Sequence, residues 1–153
     1  MAASPGGEFQ KPSTVERIFN RIFGWIVGAG LGLYNSYLLE VTGRKTGRVY
    51  ATPVHLLAID NRTFLVCPRG RAQWVLNAEA RGQVWLRKGH ARTRYAIRAV
   101  AEADKPELLR VYLDRFKLTV QRYFPVPAGS PASALVPIAD RYPVFELLLA
   151  DAA

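Results

Sequence analysis

The sequence predicts a mainly β chain of α+β type, a small barrel with helices at its periphery. Three observations lead there. Short runs rich in Val, Ile, Leu, Thr and Tyr succeed one another with turn residues between them. Two of the joins have hairpin chemistry. Several runs also carry apolar residues on both faces, as strands do when they are covered by sheet on one side and helix on the other.

The elements follow in order. Residues 1–12 are small, polar and interrupted by Gly and Pro, and read as a flexible tail before a single domain at 13–153. From Thr14, the residues Val15, Ile18, Phe19, Ile22, Phe23, Ile26 and Val27 recur at three- and four-residue spacing, which predicts an amphipathic helix. Ser13 or Thr14 can cap its start, and Gly28, Gly30 and Gly32 end it. Its apolar stripe reads as a cover for the core; contact with a membrane surface through Phe23, Trp25 and Ile26 is the alternative.

Strands are predicted at Tyr37 to Thr42, Val49 to Ile59, Thr63 to Cys67, Gln83 to Arg87 and Ala91 to Ala101. Asp60-Asn61-Arg62 and Lys88-Gly89-His90 tolerate left-handed backbone, so the strands they join should pair antiparallel. Ala72 to Arg81 reads as a short helix closed by Gly82. A longer helix is expected from Asp104 to about Tyr123, with Asp104 and Glu107 as a capping box. Pro125 to Pro131 is a loop, and Pro143 to Leu149 a final apolar strand or a core-docking tail.

Composition narrows the function classes. The 21 Lys and Arg against 12 Asp and Glu give a net charge of +9, which suits an anionic ligand, acidic lipid headgroups or nucleic acid. No nucleic-acid reading module is recognisable and the arginines are dispersed, so no nucleic-acid partner is expected. Cys67 is the single cysteine, which fits a reducing, cytoplasmic setting. The longest apolar stretch, Ile22 to Leu33, is broken by glycines and falls short of the roughly 20 residues that span a bilayer.

The chemistry-bearing residues are few. His55 lies mid-strand and reads as a packed or hydrogen-bonded histidine, His90 as a solvated turn residue, and Cys67 as a small buried thiol. No cluster of His, Cys and carboxylates supports a metal site, and neither a P-loop nor a GxGxxG pattern occurs. An enzyme with so sparse an acid/base inventory would rely on an organic cofactor for its chemistry. One loop stands out. Thr42-Gly43-Arg44-Lys45-Thr46-Gly47-Arg48 joins two strands and offers backbone amides, cations and a hydroxyl to an anion.

The run Thr42 to Pro53 resembles the TGRKTG…P segment of deazaflavin-dependent nitroreductases and quinone reductases. Pro68 to Asn77, with Trp74 and Asn77, is similar to their later glycine-then-W-x-x-N segment. Asp140-Arg141-Tyr142-Pro143-Val144-Phe145 resembles their C-terminal ending. The resemblance spans about Val15 to Leu149 and implies a split β-barrel, FMN-binding-like in type, that binds coenzyme F420 and passes a hydride to a hydrophobic acceptor such as a quinone or nitroaromatic.

By position it implies that Arg44, Lys45 and Thr46 hold the phosphate and acidic tail, and that Tyr50, Thr52, Pro53 and His55 lie along the ribityl chain. Val66, Cys67, Pro68, Arg69 and Gly70 would place backbone against the ring, and Gln73, Trp74 and Asn77 would close the pocket. Relatives carry serine where Pro68 stands, and tyrosines over the substrate pocket where this chain has Gly129, Ala132 and Leu135, which implies a more open, apolar pocket with fewer donors. Use of FMN on the same barrel, and a non-catalytic lipid- or cofactor-binding role, are the alternatives.

Overall fold

The computed structural model describes residues 36–150. The tail and the helix expected from Thr14 lie outside the described residues. Six strands close a barrel: β1 (Ser36–Thr42), β2 (Val49–Ile59), β3 (Arg62–Val66), β4 (Gln83–Lys88), β5 (Ala91–Ala99) and β6 (Val144–Leu149). Around the barrel the order is β1-β2-β3-β6-β5-β4, and every neighbouring pair is antiparallel. Closure gives every strand two partners, which leaves no edge to template aggregation.

Turn chemistry fixes two of the joins. Asp60 and Asn61 take φ of 53° and 63°, the left-handed pair that a tight hairpin between β2 and β3 requires. Gly89, at φ 62°, does the same between β4 and β5. Helix α1 (Gln73–Arg81) connects β3 to β4 and stops at Gly82, whose φ of 75° lets its N–H return to Ala78 O.

Alternation on β2 and β3 divides the core. Leu56 and Leu65 join Leu39, Val41, Val84 and Leu86 inside the barrel. The next residues, Leu57 and Phe64, point to the other face and pack with Leu109, Leu113 and Leu135. Full burial of such side chains stabilises by about 1.5–3 kcal/mol each, so both faces hold the barrel together.

The second helix departs from expectation. Helix α2 covers Lys105–Arg115 and breaks at Phe116, where φ is −114° and ψ 26°; the short helix α3 (Lys117–Val120) and a 3₁₀ turn, Gln121–Tyr123, follow. Phe116 stacks on His55 with ring centroids 4.5 Å apart and meets Tyr112 edge-on at 5.3 Å. Those contacts hold the ring against the barrel while the chain turns away. The expected capping box is absent. Asp104 is already in helical backbone at the end of a 3₁₀ turn, with no side-chain cap, and Glu107 pairs with Arg110 at 2.6 Å. Ala132–Arg141 winds as 3₁₀ helix and buries Leu135, Ile138 and Ala139. Among the described residues no helix is long and apolar enough to cross a membrane.

Candidate active site

The basic loop is the hairpin between β1 and β2, flanked by the pair Thr42 and Val49. Its shape is locked from within. Gly43 N–H donates to Arg48 O at 2.7 Å, and Gly47, at φ 74°, donates to Gly43 O at 3.0 Å. The Thr46 hydroxyl accepts from Arg48 N–H at 3.1 Å and lies 3.2 Å from the Tyr50 hydroxyl. Gly43 has no room for a side chain: a Cβ would stand 2.7 Å from Tyr50 Cε2 and 2.8 Å from Thr46 Oγ1.

Helix α1 holds the loop from outside. Asn77, buried at 6 % exposure, accepts Arg44 N–H at 3.0 Å and Arg44 Nη1 at 2.7 Å on a single oxygen, Oδ1. Gln73 Oε1 takes a longer contact from the same nitrogen at 3.3 Å, and Arg81 Nη2 donates to Gly43 O at 2.7 Å. Arg44 is thereby oriented without losing its charge, since its partners are amides rather than carboxylates. Lys45 is exposed.

Two adjoining hollows contain the residues that the sequence singles out. One, of about 370 Å³, is lined by Arg44, Lys45, Thr46, Tyr50, Gln73 and Asn77, with Trp74 at its inner end. Trp74 also lines the second, a chamber of about 270 Å³ walled by Thr52, Pro53 and His55 on β2, by Val66 at the end of β3 and by Cys67, Pro68 and Arg69 just after it. Gly70 lines neither. Its φ of 87° makes the turn that carries the chain past Arg141, whose carbonyl would lie 3.6 Å from a Cβ there. Trp74 is partly buried and packs on Phe145 at 6.3 Å, so it is both core aromatic and pocket wall.

Backbone donors near the chamber are largely committed. Cys67 N–H donates to Pro143 O at 2.9 Å, Cys67 O accepts from Gly70 at 3.4 Å, and Pro68 has no N–H. Burial pushes the Cys67 thiol above its ordinary value, opposed by the backbone N–H groups of Arg69 and Ala72. It is held as a thiol and not as a nucleophile. Burial lowers the His55 pKa, which keeps the imidazole neutral near pH 7.

The far wall of the chamber comes from the broken helix: Tyr112, Thr119, Val120, Arg122 and Tyr123. Thr119 and Arg122 escape sequence reasoning, although Tyr112, Phe116, Val120 and Tyr123, spaced four, four and three apart, mark one helical face toward it. Burial raises the Tyr112 pKa well above 10, so the hydroxyl keeps its proton. Tyr123 OH accepts from Arg122 Nη2 at 2.8 Å.

One expectation is corrected here. Gly129, Ala132 and Leu135 line neither hollow: Leu135 is fully buried in the core packed on α2, and Gly129 N–H is tied to Asp114 Oδ1 at 2.7 Å. The Pro-rich loop and the 3₁₀ segment pack on α2 instead, so the hydroxyl-bearing residues lining the chamber are Thr52, Thr119, Tyr112 and Tyr123.

The fold is shared with structures of low sequence identity. A protein of unknown function from Agrobacterium tumefaciens superposes with a TM-score of 0.55 at 14 % identity, over 76 % of this chain and 50 % of that one, so this chain spans half its length. HutZ, the heme storage protein from Vibrio cholerae, gives 0.53 at 11 % identity over 77 % and 83 %. A NimC/NimA family protein from Clostridium acetobutylicum gives 0.53 at 9 % identity over 74 % and 73 %. Among curated proteins none matches.

Barrel closure, strand order and these neighbours define a split β-barrel of the FMN-binding-like class. Residues 11–122 match the F420H(2)-dependent quinone reductase family, and the chain belongs to that family.

Proposed function

We propose that the chain binds coenzyme F420 along the groove from the Arg44 loop past Trp74 to the Cys67–Pro68 wall, and serves reduction of a hydrophobic acceptor, a quinone or a nitroaromatic. One observation carries this reading. Two hollows meet at Trp74, one with an uncompensated cationic loop and the other with mainly apolar walls, which fits a long ligand with an anionic tail and a flat ring. Among the described residues neither Arg44 nor Lys45 forms an ion pair with a carboxylate, so both charges remain available to a ligand.

When bound and reduced, the deazaflavin supplies a hydride; with one proton from solvent, this turns a quinone into its quinol. The protein's own part is placement. Arg44, oriented by Asn77, and Lys45 hold phosphate and carboxylates, with Thr46 and Tyr50 beside them. Trp74, Val66 and Pro68 give the ring apolar surface and keep water from it. Tyr112, a chamber-lining residue whose hydroxyl burial keeps protonated, would donate to the acceptor oxygen as charge develops there. In the cytoplasm Cys67 would remain the free thiol it is here.

Parallel titration with F420 and FMN, followed by tryptophan fluorescence, tests the cofactor assignment. F420 should bind far more tightly, because the shorter flavin has no acidic tail for Arg44 and Lys45; equal or reversed affinities would overturn it. The committed backbone at Cys67 and Pro68 favours a second reading, a cofactor-binding protein without turnover, which tight F420 binding with no reduction of any acceptor would support.

A further inference from the structure

Beyond the chamber, Arg69, Arg122 and Arg141 line one open pocket of about 420 Å³ whose other walls are aromatic or proline. No carboxylate lines it. Among the described residues none of the three guanidiniums forms an ion pair. Six arginines elsewhere, Arg62, Arg71, Arg87, Arg92, Arg98 and Arg110, each carry a carboxylate partner.

The pocket's position sets its use. Arg69 and Arg122 also line the chamber, whereas no residue is shared with the hollow at the Arg44 loop. The order along the surface is therefore cationic loop, Trp74, apolar chamber, arginine pocket. Phe124 and Tyr142, stacked at 4.4 Å, form a rigid wall, and Arg122 lies over the Tyr123 ring at 4.9 Å. Three like charges on one pocket repel one another, a cost that a bound anion relieves. The planar guanidinium fork matches a carboxylate with two parallel hydrogen bonds.

We propose that this pocket binds a carboxylate carried by the electron acceptor, so that the acceptor is an amphiphile with an apolar redox ring and an acidic arm. The inference rests on the proposed function, in which the acceptor would enter the chamber beside the cofactor ring, on the side of Tyr112, Arg122 and Tyr123. The cofactor's anionic tail would be held by Arg44 and Lys45 at the opposite end, across Trp74.

The test uses full-length, cofactor-free protein and two probes, a naphthoquinone propionate and its methyl ester, titrated by calorimetry into wild type and the Arg122→Gln/Arg141→Gln double variant. The acid should bind wild type at least about tenfold more tightly than the ester, with an advantage that shrinks as salt rises. The double variant should lose that advantage, and thermal melting would establish that it is folded. Equal binding of acid and ester to wild type, or an advantage that survives in the folded variant, would overturn the proposal. F420 titration separates the two assignments. Affinity unchanged in the double variant supports an acceptor pocket, whereas a loss as large as that of the propionate would assign the arginines to the cofactor tail and overturn it. Failure of wild type to bind F420, with the propionate preference intact, would count against the cofactor assignment alone.

Discussion

The Oδ1 atom of Asn77 accepts two hydrogen bonds from Arg44, one from its backbone N–H at 3.0 Å and one from its guanidinium at 2.7 Å. A single buried amide on α1 therefore sets both the path of the β1–β2 loop and the direction of its first cation. Asn77 acts through Arg44, as a positioning residue.

Asn77→Ala should leave a backbone donor and a charge unsatisfied, costing about 1–3 kcal/mol of stability and lowering F420 affinity at least tenfold. Asn77→Asp should keep the loop in place but neutralise Arg44, so affinity falls while melting temperature holds. Titration and thermal melting of the two variants separate these effects; identical behaviour would contradict the assigned role.

Gly43→Ala puts a Cβ 2.7 Å from Tyr50 and 2.8 Å from Thr46, in a hairpin whose hydrogen bonds fix its geometry. Tyr50 or the loop must shift. We expect F420 affinity to drop by about tenfold or more, with at most about 1–3 kcal/mol of lost stability, as for a modest overpacking. Unchanged affinity would show that the loop does not contact the ligand.

Tyr112→Phe removes the buried hydroxyl at the chamber wall and retains the ring contacts to Phe116 and Phe124. Turnover of a quinone should fall about tenfold to a thousandfold, the scale of losing one transition-state donor, with F420 affinity unchanged. By contrast His55→Ala and Cys67→Ala should each leave turnover within about tenfold, below the 10²–10⁴ of general acid–base catalysis. Steady-state kinetics at saturating cofactor decides both points.

Glu146, at 6 % exposure, receives Arg62 at 2.8 and 2.9 Å and Arg98 at 2.7 Å. Hydrogen bonds from Arg62 first, then Arg98, hold its carboxyl down to about 2 from the ordinary 4.5. A depressed carboxylate contributes stability that is fully present above the unfolded value and is lost as pH falls through the folded one. The melting-temperature advantage of wild type over Glu146→Gln should therefore be constant above about pH 5 and shrink from pH 4.5 towards 2. Because both arginines are largely solvent-exposed, screening keeps the difference modest. An advantage that grows on acidification would refute this assignment.

Local chemistry made most of the barrel legible. Asp60-Asn61 and Gly89 demand left-handed turns, Gly82 demands a helix end, and β-rich runs between them leave strands little choice, so β2 begins and ends at the predicted residues and the other strands differ by one or two. The Thr42 to Asn77 motifs likewise indicated which residues meet at the groove, Gly70 excepted, because hairpin and helix carry them there directly. What only the tertiary structure decided is set by contacts between distant segments. The helix breaks at Phe116, whose ring stacks on His55, sixty-one positions earlier, and periodicity cannot register such a partner. That break turns Thr119, Arg122 and Tyr123 to the chamber, and packing of the 3₁₀ segment on α2 keeps Leu135 away from it. The sequence alone thus determined the family and the cationic end of the groove. The chamber joins β2, the segment after β3 and the broken helix, which lie far apart in the sequence, and only the folded chain brings those walls together.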